Sequence, residues 1–343
     1  MIHDGRSRKF FTRLKRTIAD FPGSDRLTTL INATQSSLSI IPEMPRWVQI
    51  ETTNRCNFDC EMCPRQLHKL PDVDMDRDTF QFIVSRLGLE HGSLITLFGL
   101  GEPLMNDDTF WMVGEVKKRG WRAGFTTNGV MLTPKRQAAI IESGLDNLRI
   151  SVDDDGLGNS RERLHSAASA VIERTGELLR LRDTSSKPEI LWNVVASTDT
   201  QTTIPRLIRK AAELGVDGVN IINLVPRFST VDPIPEDRRI FLFEEWHSLG
   251  CALGMPVHST YRDRFGLRRF FYGHRRECPQ LFDYAYITMD GKVSPCCHLP
   301  RTIVGDLSSQ TLKEIWTDIP YRRFRKNYRR TKTCRDCRLL LWK

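Results

Sequence analysis

The chain has 343 residues, 40% of them apolar and 27% charged, which describes an ordinary folded globular protein and excludes a disordered or fibrous class. Its longest uncharged runs, such as GSLITLFGLG at 92–101, fall short of the ~18–20 apolar residues that a membrane-crossing helix requires, so no transmembrane segment is expected. The formal net charge is +9, but YRRFRKNYRRTK (321–332) holds seven basic residues and no acid, so the rest of the chain is nearly neutral and the basic character is local.

The N-terminal stretch MIHDGRSRKFFTRLKRTIADF is basic and lacks the continuous apolar block and small-residue cleavage site of a secretory signal, which points to the cytoplasm. Thiols stay reduced there, so the nine cysteines read as metal ligands or reactive groups rather than disulfides. Residues 1–45 form a helical extension, with Phe10, Phe11, Leu14, Ile18 and Phe21 on one face and Arg8, Arg13, Lys15 and Arg16 on the other. Such a basic amphipathic helix either covers the main domain or lies on a membrane surface, and the first is expected.

From residue 46 to 226, short apolar runs alternate with helical patterns. WVQIETT (47–53), SLITLFG (93–99), RAGFTTN (122–128), NLRISVD (147–153), EILWNVVAS (189–197) and GVNIINLVP (218–226) read as strands. TFQFIVSRL, TFWMVGEVKKRG, PKRQAAIIESG and TIPRLIRKAAELG between them read as helices, with glycine stops among them. The alternation predicts an α/β protein whose parallel sheet is covered by helices. About six units predict a partial (β/α)6 barrel, open rather than closed, with its chemistry in the loops at the C-terminal strand ends.

Residues 227–277 read as a linking region, a Pro-rich loop followed by the helix RRIFLFEEWHSLGCALG, in which Cys251 is expected as a small core residue. Residues 278–343 form a small cysteine-rich domain. Within it YAYITMDGKVSPCC (284–297) reads as a hairpin turning at its Asp-Gly. His298, just after it, is expected at the surface. The basic 321–332 segment reads as a helix whose Tyr321, Phe324 and Tyr328 pack inward while its cations are solvated. A stacking surface for single-stranded nucleic acid is the weaker reading.

CNFDCEMC (56–63), in the loop after the first strand, spaces Cys56, Cys60 and Cys63 as C-x3-C-x2-C and offers no nearby fourth ligand. A closed structural zinc site wants four. An iron–sulfur cluster on three thiolates leaves one iron open to a small molecule. In the tail, Cys278, Cys296, Cys334 and Cys337 supply four thiolates that suit zinc or a fully ligated cluster equally by softness alone. Cys297 adjoins Cys296, and strand alternation lets only one of the two face such a metal.

These residues resemble the radical S-adenosylmethionine (SAM) superfamily, whose C-x3-C-x2-C loop binds a [4Fe–4S] cluster and leaves its unique iron to SAM. The resemblance covers roughly residues 46–226. It implies that an electron from the reduced cluster cleaves SAM to a 5′-deoxyadenosyl radical. FGLGEPLM (98–105) is similar to the family's glycine-glycine-glutamate motif, which implies that Gly99, Gly101 and Glu102 seat the methionyl group, with Leu100 where a glycine is usual. TTNG (126–129) and RISVDD (149–154) match further elements, implying SAM contacts for Asn128 and Ser151, with Asn193 on the fifth strand as another. The C-x12-G-x4-C pattern, GDLSSQTLKEIW (305–316) and the final C-x2-C resemble the SPASM/twitch extension, implying one auxiliary [4Fe–4S] cluster on Cys278, Cys296, Cys334 and Cys337.

What the resemblance implies is a radical SAM enzyme of the oxidoreductase or epimerase type, fed by an electron donor such as a flavodoxin or ferredoxin. It would oxidise, or epimerise through a thiol such as Cys251 or Cys297, a small polar metabolite: a sugar, an aminocyclitol or a nucleoside-linked intermediate. A maturase acting on a ribosomal peptide is the alternative within the family, and a non-catalytic metal-binding module the alternative outside it. Nucleic acid is not an expected partner.

Overall fold

Apolar residues at every second position of the strands and on one stripe of the helices bury against each other, and that pairing sets the architecture. The computed structural model describes residues 42–65, 72–156, 163–225, 231–259, 276–278, 280–337 and 341–342, with Leu14. The rest of the expected N-terminal helix lies outside the described residues. Strand and helix alternate as β1 (Trp47–Ile50), α1 (Arg77–Ser85), β2 (Leu94–Leu97), α2 (Thr109–Lys118), β3 (Arg122–Thr127), α3 (Pro134–Glu142), β4 (Asn147–Ser151), α4 (Arg163–Arg182), β5 (Glu189–Ala196), α5 (Ile204–Leu214) and β6 (Gly218–Asn223). The six strands pair in sequence order, all parallel. They form the predicted α/β sheet, a partial (β/α)6 barrel whose two outer edges, among the described residues, do not pair with each other.

Two features extend this sheet beyond the sequence pattern. The region after β6 contains the expected helix, α6 (Glu236–Ala252), and also β7 (Val257–Ser259), which adds a further parallel strand to β6. At the opposite edge, past the short β8 (Arg276–Glu277), the cysteine-rich tail contributes β9 (Tyr284–Ile287), β10 (Lys292–Ser294) and β11 (Gly305–Asp306). The β9–β10 hairpin is antiparallel as predicted, turning at Asp290 and Gly291, whose φ of +76° suits glycine. β9 then pairs parallel with β1, Trp47 opposite Tyr284 and Gln49 opposite Tyr286. One ten-stranded sheet therefore carries both halves. Arg46 fastens the junction through a two-pronged ion pair with Asp283, its Nε and a terminal nitrogen each 2.6 Å from a carboxylate oxygen.

The core lies between the sheet and its helices. Val48, Ile50, Ile95, Leu148, Ile150, Trp192 and Val194 are fully buried there, each worth about 1.5–3 kcal/mol of apolar burial. The opposite face of the same strands is polar: Gln49, Thr96, Thr126, Arg149, Ser151, Asn193 and Asn220 alternate with those residues and line the barrel interior.

The tail ends in α7 (Leu312–Thr317), α8 (Ile319–Asn327), α9 (Lys332–Asp336) and the short β12 (Leu341–Trp342). A capping box between Thr311 and Glu314 starts α7. Tyr321 and Tyr328 of the basic segment are buried and Phe324 packs on the core, as the spacing predicts. One cation departs from the expected solvated face. Arg325 is buried with its guanidinium 4.0 Å from the Trp316 ring centroid and 3.9 Å from that of Tyr321, donating to Leu281 O (2.9 Å) and Trp316 O (2.7 Å).

Replacing Arg325 by Ala removes two carbonyl partners and a stacked cation together, an expected loss of about 2–4 kcal/mol. Thermal unfolding followed by circular dichroism should show a clear drop for Arg325→Ala and almost none for the exposed Arg322→Ala. Equal melting of the two variants would contradict this assignment.

Candidate active site

Beyond Ile50 the chain leaves β1 and enters the three-cysteine loop, whose entry and exit are tied together. Asn54 N donates to Val73 O (3.0 Å), Met75 N to Thr52 O (2.9 Å), and Thr53 Oγ1 to Asp74 (2.6 Å). Arg65 holds the loop from within: its guanidinium reaches Asn54 O at 2.9 Å, Asp59 at 3.0 Å and Asp72 at 2.6 Å, at the loop's start, middle and return. Nothing in the cysteine spacing singles out Arg65. Its only signal is an arginine two residues after Cys63 with an aspartate on either side in sequence.

Cys56, Cys60 and Cys63 are half-buried, and Cys63 N donates to Cys60 O at 3.0 Å. Burial pushes the Cys56 and Cys63 thiols above their ordinary pKa, and the positive charge of Arg65 pulls both back. A metal that binds thiolates supplies the remaining stabilisation.

The loop packs against the end of β2. A Cβ at Gly101 would stand 2.3 Å from Thr53 O and 2.7 Å from Arg55 O, and one at Gly99 would meet Glu51 Cγ at 2.7 Å and the Tyr286 hydroxyl at 2.9 Å. Both glycines thus admit backbone and side chains of the protein itself. Glu102, fully buried, accepts from Leu104 N (3.1 Å), Thr127 Oγ1 (2.7 Å) and Asn128 N (2.8 Å). Burial raises its pKa while these donors oppose the rise. Its backbone N–H meanwhile donates to Arg55 O at 2.8 Å. One residue therefore links the cysteine loop, β2 and β3, and Oε2 keeps a lone pair for a further donor. Asn128 completes the link, its Nδ2 donating to Asn57 Oδ1 at 2.7 Å.

Ser151 stands at the end of β4, half-buried on the interior face. Opposite it in register, Asn193 accepts from Asn220 Nδ2 at 3.0 Å. These groups face the polar interior at the strand ends that carry Glu102 and the cysteine loop.

At the other edge, the tail thiols gather around β9 and α8. Cys278 feels the charge of Cys337 and Cys334, Cys334 that of Cys337, and Cys278 acts on Cys296, while burial pushes Cys278 up to about 12 and Cys334 to about 11. Tyr321 and Tyr328 wall this group and are themselves raised by burial and by the neighbouring thiols. Among the described residues no three side chains close on a single-ion site.

Three expectations are corrected here. Cys296 and Cys297 follow β10 in a turn, so strand alternation does not separate them. Cys296 donates to Gln280 Oε1 at 3.6 Å and accepts from His298 N at 3.4 Å; the neighbouring Cys297 and burial raise its thiol, while Cys296 and the charge of His298 lower that of Cys297. His298 is half-buried beside that pair instead of lying at the surface. Cys251 is exposed, not in the core. Phe243, Trp246 and Gly250 occupy the inward face of α6, where a Cβ on Gly250 would meet Val257 at 2.4 Å, and the next position turns outward toward His247.

Comparison with known proteins agrees with this geometry. Residues 50–155 match the radical SAM superfamily and residues 278–338 match the SPASM iron-sulfur cluster-binding domain. The tungsten-containing aldehyde ferredoxin oxidoreductase cofactor-modifying protein of Pyrococcus furiosus is 30% identical over 327 residues, spanning 86% of this chain and 87% of that protein. The chain belongs to the radical SAM superfamily. A second relative of this radical SAM chain, the PqqA peptide cyclase of Gluconobacter oxydans, is 24% identical over 312 residues, covering 87% and 84% of the two chains. The solved structure of Streptococcus suis SuiB bound to its precursor peptide SuiA shares the fold at a TM-score of 0.65 and 14% identity, covering 93% of this chain and 76% of that one.

As a radical SAM protein with a SPASM domain, the chain uses a [4Fe–4S] cluster with SAM and an auxiliary iron–sulfur cluster. The donor sets fit: among the described residues, three thiolates beside a buried carboxylate, and a separate group of four thiolates. Arg65→Ala should release the loop at its three anchors and cost the first cluster selectively, iron per chain falling from about eight to about four while the tail retains its share. Iron analysis after anaerobic reconstitution reads this directly. Full iron content in that variant would show that Arg65 does not hold the loop.

Proposed function

We propose that this chain is a radical SAM oxidoreductase that dehydrogenates a small polar metabolite, of the sugar, aminocyclitol or nucleoside-linked kind. In this reading Cys56, Cys60 and Cys63 hold the first cluster and Cys278, Cys296, Cys334 and Cys337 the auxiliary one. Glu102 accepts the methionyl ammonium of SAM on its remaining lone pair, and Asn128, Ser151 and Asn193 line the adenosyl side. When bound, the cofactors supply a one-electron cleavage of SAM, a carbon-centred hydrogen abstraction, and an acceptor for the second electron of the oxidation. A flavodoxin or ferredoxin supplies the first electron.

The observation that carries oxidation is the pairing of β9 with β1. It joins the segment bearing the tail thiols to the strand whose far end releases the three-cysteine loop, with Tyr284 donating to Gln49 at 2.9 Å and Gln49 donating to Phe98 O at 3.0 Å across the junction. Return of hydrogen by a thiol has weaker support. Cys251 is exposed on the outer face of α6, and Cys297 is engaged with Cys296 and Tyr284. The small-molecule class is favoured by the 30% identical relative, a cofactor-modifying protein. A peptide substrate is the second reading, favoured by the PqqA peptide cyclase and by SuiB with its bound precursor.

Reconstituted protein given dithionite and SAM without oxygen should release 5′-deoxyadenosine, and Cys56→Ala should lose that activity. Retained cleavage in the variant would contradict the assignment of the first site. With a true substrate in deuterated water, solvent deuterium should not enter the reacting carbon. Deuterium found at an inverted centre would replace oxidation by epimerisation.

Cys296 feels the charge of Cys278 while Cys297 turns to His298 and Tyr284. Cys296→Ser should therefore lose about four irons and Cys297→Ser none. The reverse pattern would exchange their roles.

A further inference from the structure

The alternation of β4 places Leu148 and Ile150 under the helices and Arg149 and Ser151 on the barrel's interior face. Arg149 is half-buried there and makes no ion pair or hydrogen bond among the described residues. The neighbouring carboxylates are already engaged: Glu189 with Asn147 Nδ2 (2.6 Å), Asp153 with Val195 N (2.6 Å), Asp154 with Gly156 N (2.7 Å) and Asp155 with Arg206. Burial pulls the Arg149 guanidinium below its ordinary pKa, and Glu189 offsets this only in part. Directly across the ladder, Thr126 is the register partner of Arg149, and its hydroxyl is buried with no partner. A desolvated cation and an orphaned hydroxyl side by side each carry a cost that a shared ligand removes. That rung sits one step beneath Ser151, Asn193 and Asn220, toward the barrel floor.

We infer that Arg149 and Thr126 bind an anionic oxygen group of the substrate, a carboxylate or a phosphate, inside the barrel. The inference rests on the proposed function and narrows its substrate class to an anionic metabolite. The guanidinium fork matches two oxygens of such a group, and the threonine hydroxyl donates to one of them.

The test uses the full chain with both clusters reconstituted and SAM saturating, titrated calorimetrically with inorganic phosphate and, separately, with acetate at constant ionic strength. Binding of one anion is expected, and which one binds separates phosphate from carboxylate. Arg149→Gln should weaken it tenfold or more, Arg149→Lys less, and Thr126→Val about threefold; the last two conserve charge or shape should Arg149→Gln fold poorly. Anion binding unchanged in all three variants, or no anion binding by the wild type, overturns the site. A loss of SAM affinity in Arg149→Gln as large as its loss of anion affinity also overturns it, assigning the arginine to the SAM carboxylate. Release of 5′-deoxyadenosine by the wild type is measured alongside. Failure there with anion binding intact removes the radical SAM reading and leaves the anion site standing.

Discussion

β1 is the strand on which everything else depends. It is four residues long, pairs parallel with β2 on one side and with β9 on the other, and releases the three-cysteine loop from its C-terminal end. A strand hydrogen-bonded along both edges has no freedom to slip, because a shift of one residue would turn Val48 and Ile50 out of the core and Gln49 into it. The Arg46–Asp283 pair fixes the register at the start of the strand, and the Tyr284–Gln49 hydrogen bond fixes it again two residues on. The cysteine loop therefore begins from a backbone position set by both halves of the molecule. The tail cysteines and the three-cysteine loop are consequently joined through a continuous sheet.

Glu102 does for the loop ends what β1 does for the sheet. A buried carboxylate is costly unless its lone pairs are met, and here donors from three segments meet it: Leu104 N, Thr127 Oγ1 and Asn128 N. The same residue's N–H reaches Arg55 in the cysteine loop. The charge is met first by preorganised donors, with the more distant Arg136 adding a smaller attraction, so the site keeps a carboxylate on the wall nearest the thiols. A cationic ligand group arriving there replaces water without requiring the protein to rearrange. Gly101 is part of that economy of space, since a methyl group in its place would force the loop away from Thr53 O.

Much of this was legible in the sequence because period and spacing are local properties. The six strands, the helices α1, α2, α3, α5 and α6 and the Asp-Gly hairpin all fall where apolar alternation and turn residues put them. The cysteine spacing, the GLGE stretch after the second strand and the serine after the fourth named the site's ingredients. What the sequence could not give were pairings between distant segments. β9 lies 234 residues beyond β1's end, and nothing in YAYI says which strand it will join. The three-residue β7 is too short to show a period, and α4 begins in the mixed sequence RLHSAASA, where no clean apolar stripe announces a helix. Cys251 and Cys297 were misread for a different reason: each was placed by a rule for regular structure, yet one sits a single helical step past the buried stripe and the other sits in a turn.

Arg325 and Arg149 show why residue type alone underdetermines role. Arg325 lies in a run that composition marks as solvated and charged, yet two aromatic rings and two carbonyls surround it and make it a structural cation. Arg149 lies in a strand that pattern marks as ordinary, and it has no such partners. The difference is where each partner comes from. α8 brings Arg325 against carbonyls whose lone pairs need donors, so the protein answers its charge internally. β4 turns Arg149 into an interior where the neighbouring carboxylates, among the described residues, are already engaged, which is why the proposed anion is placed there.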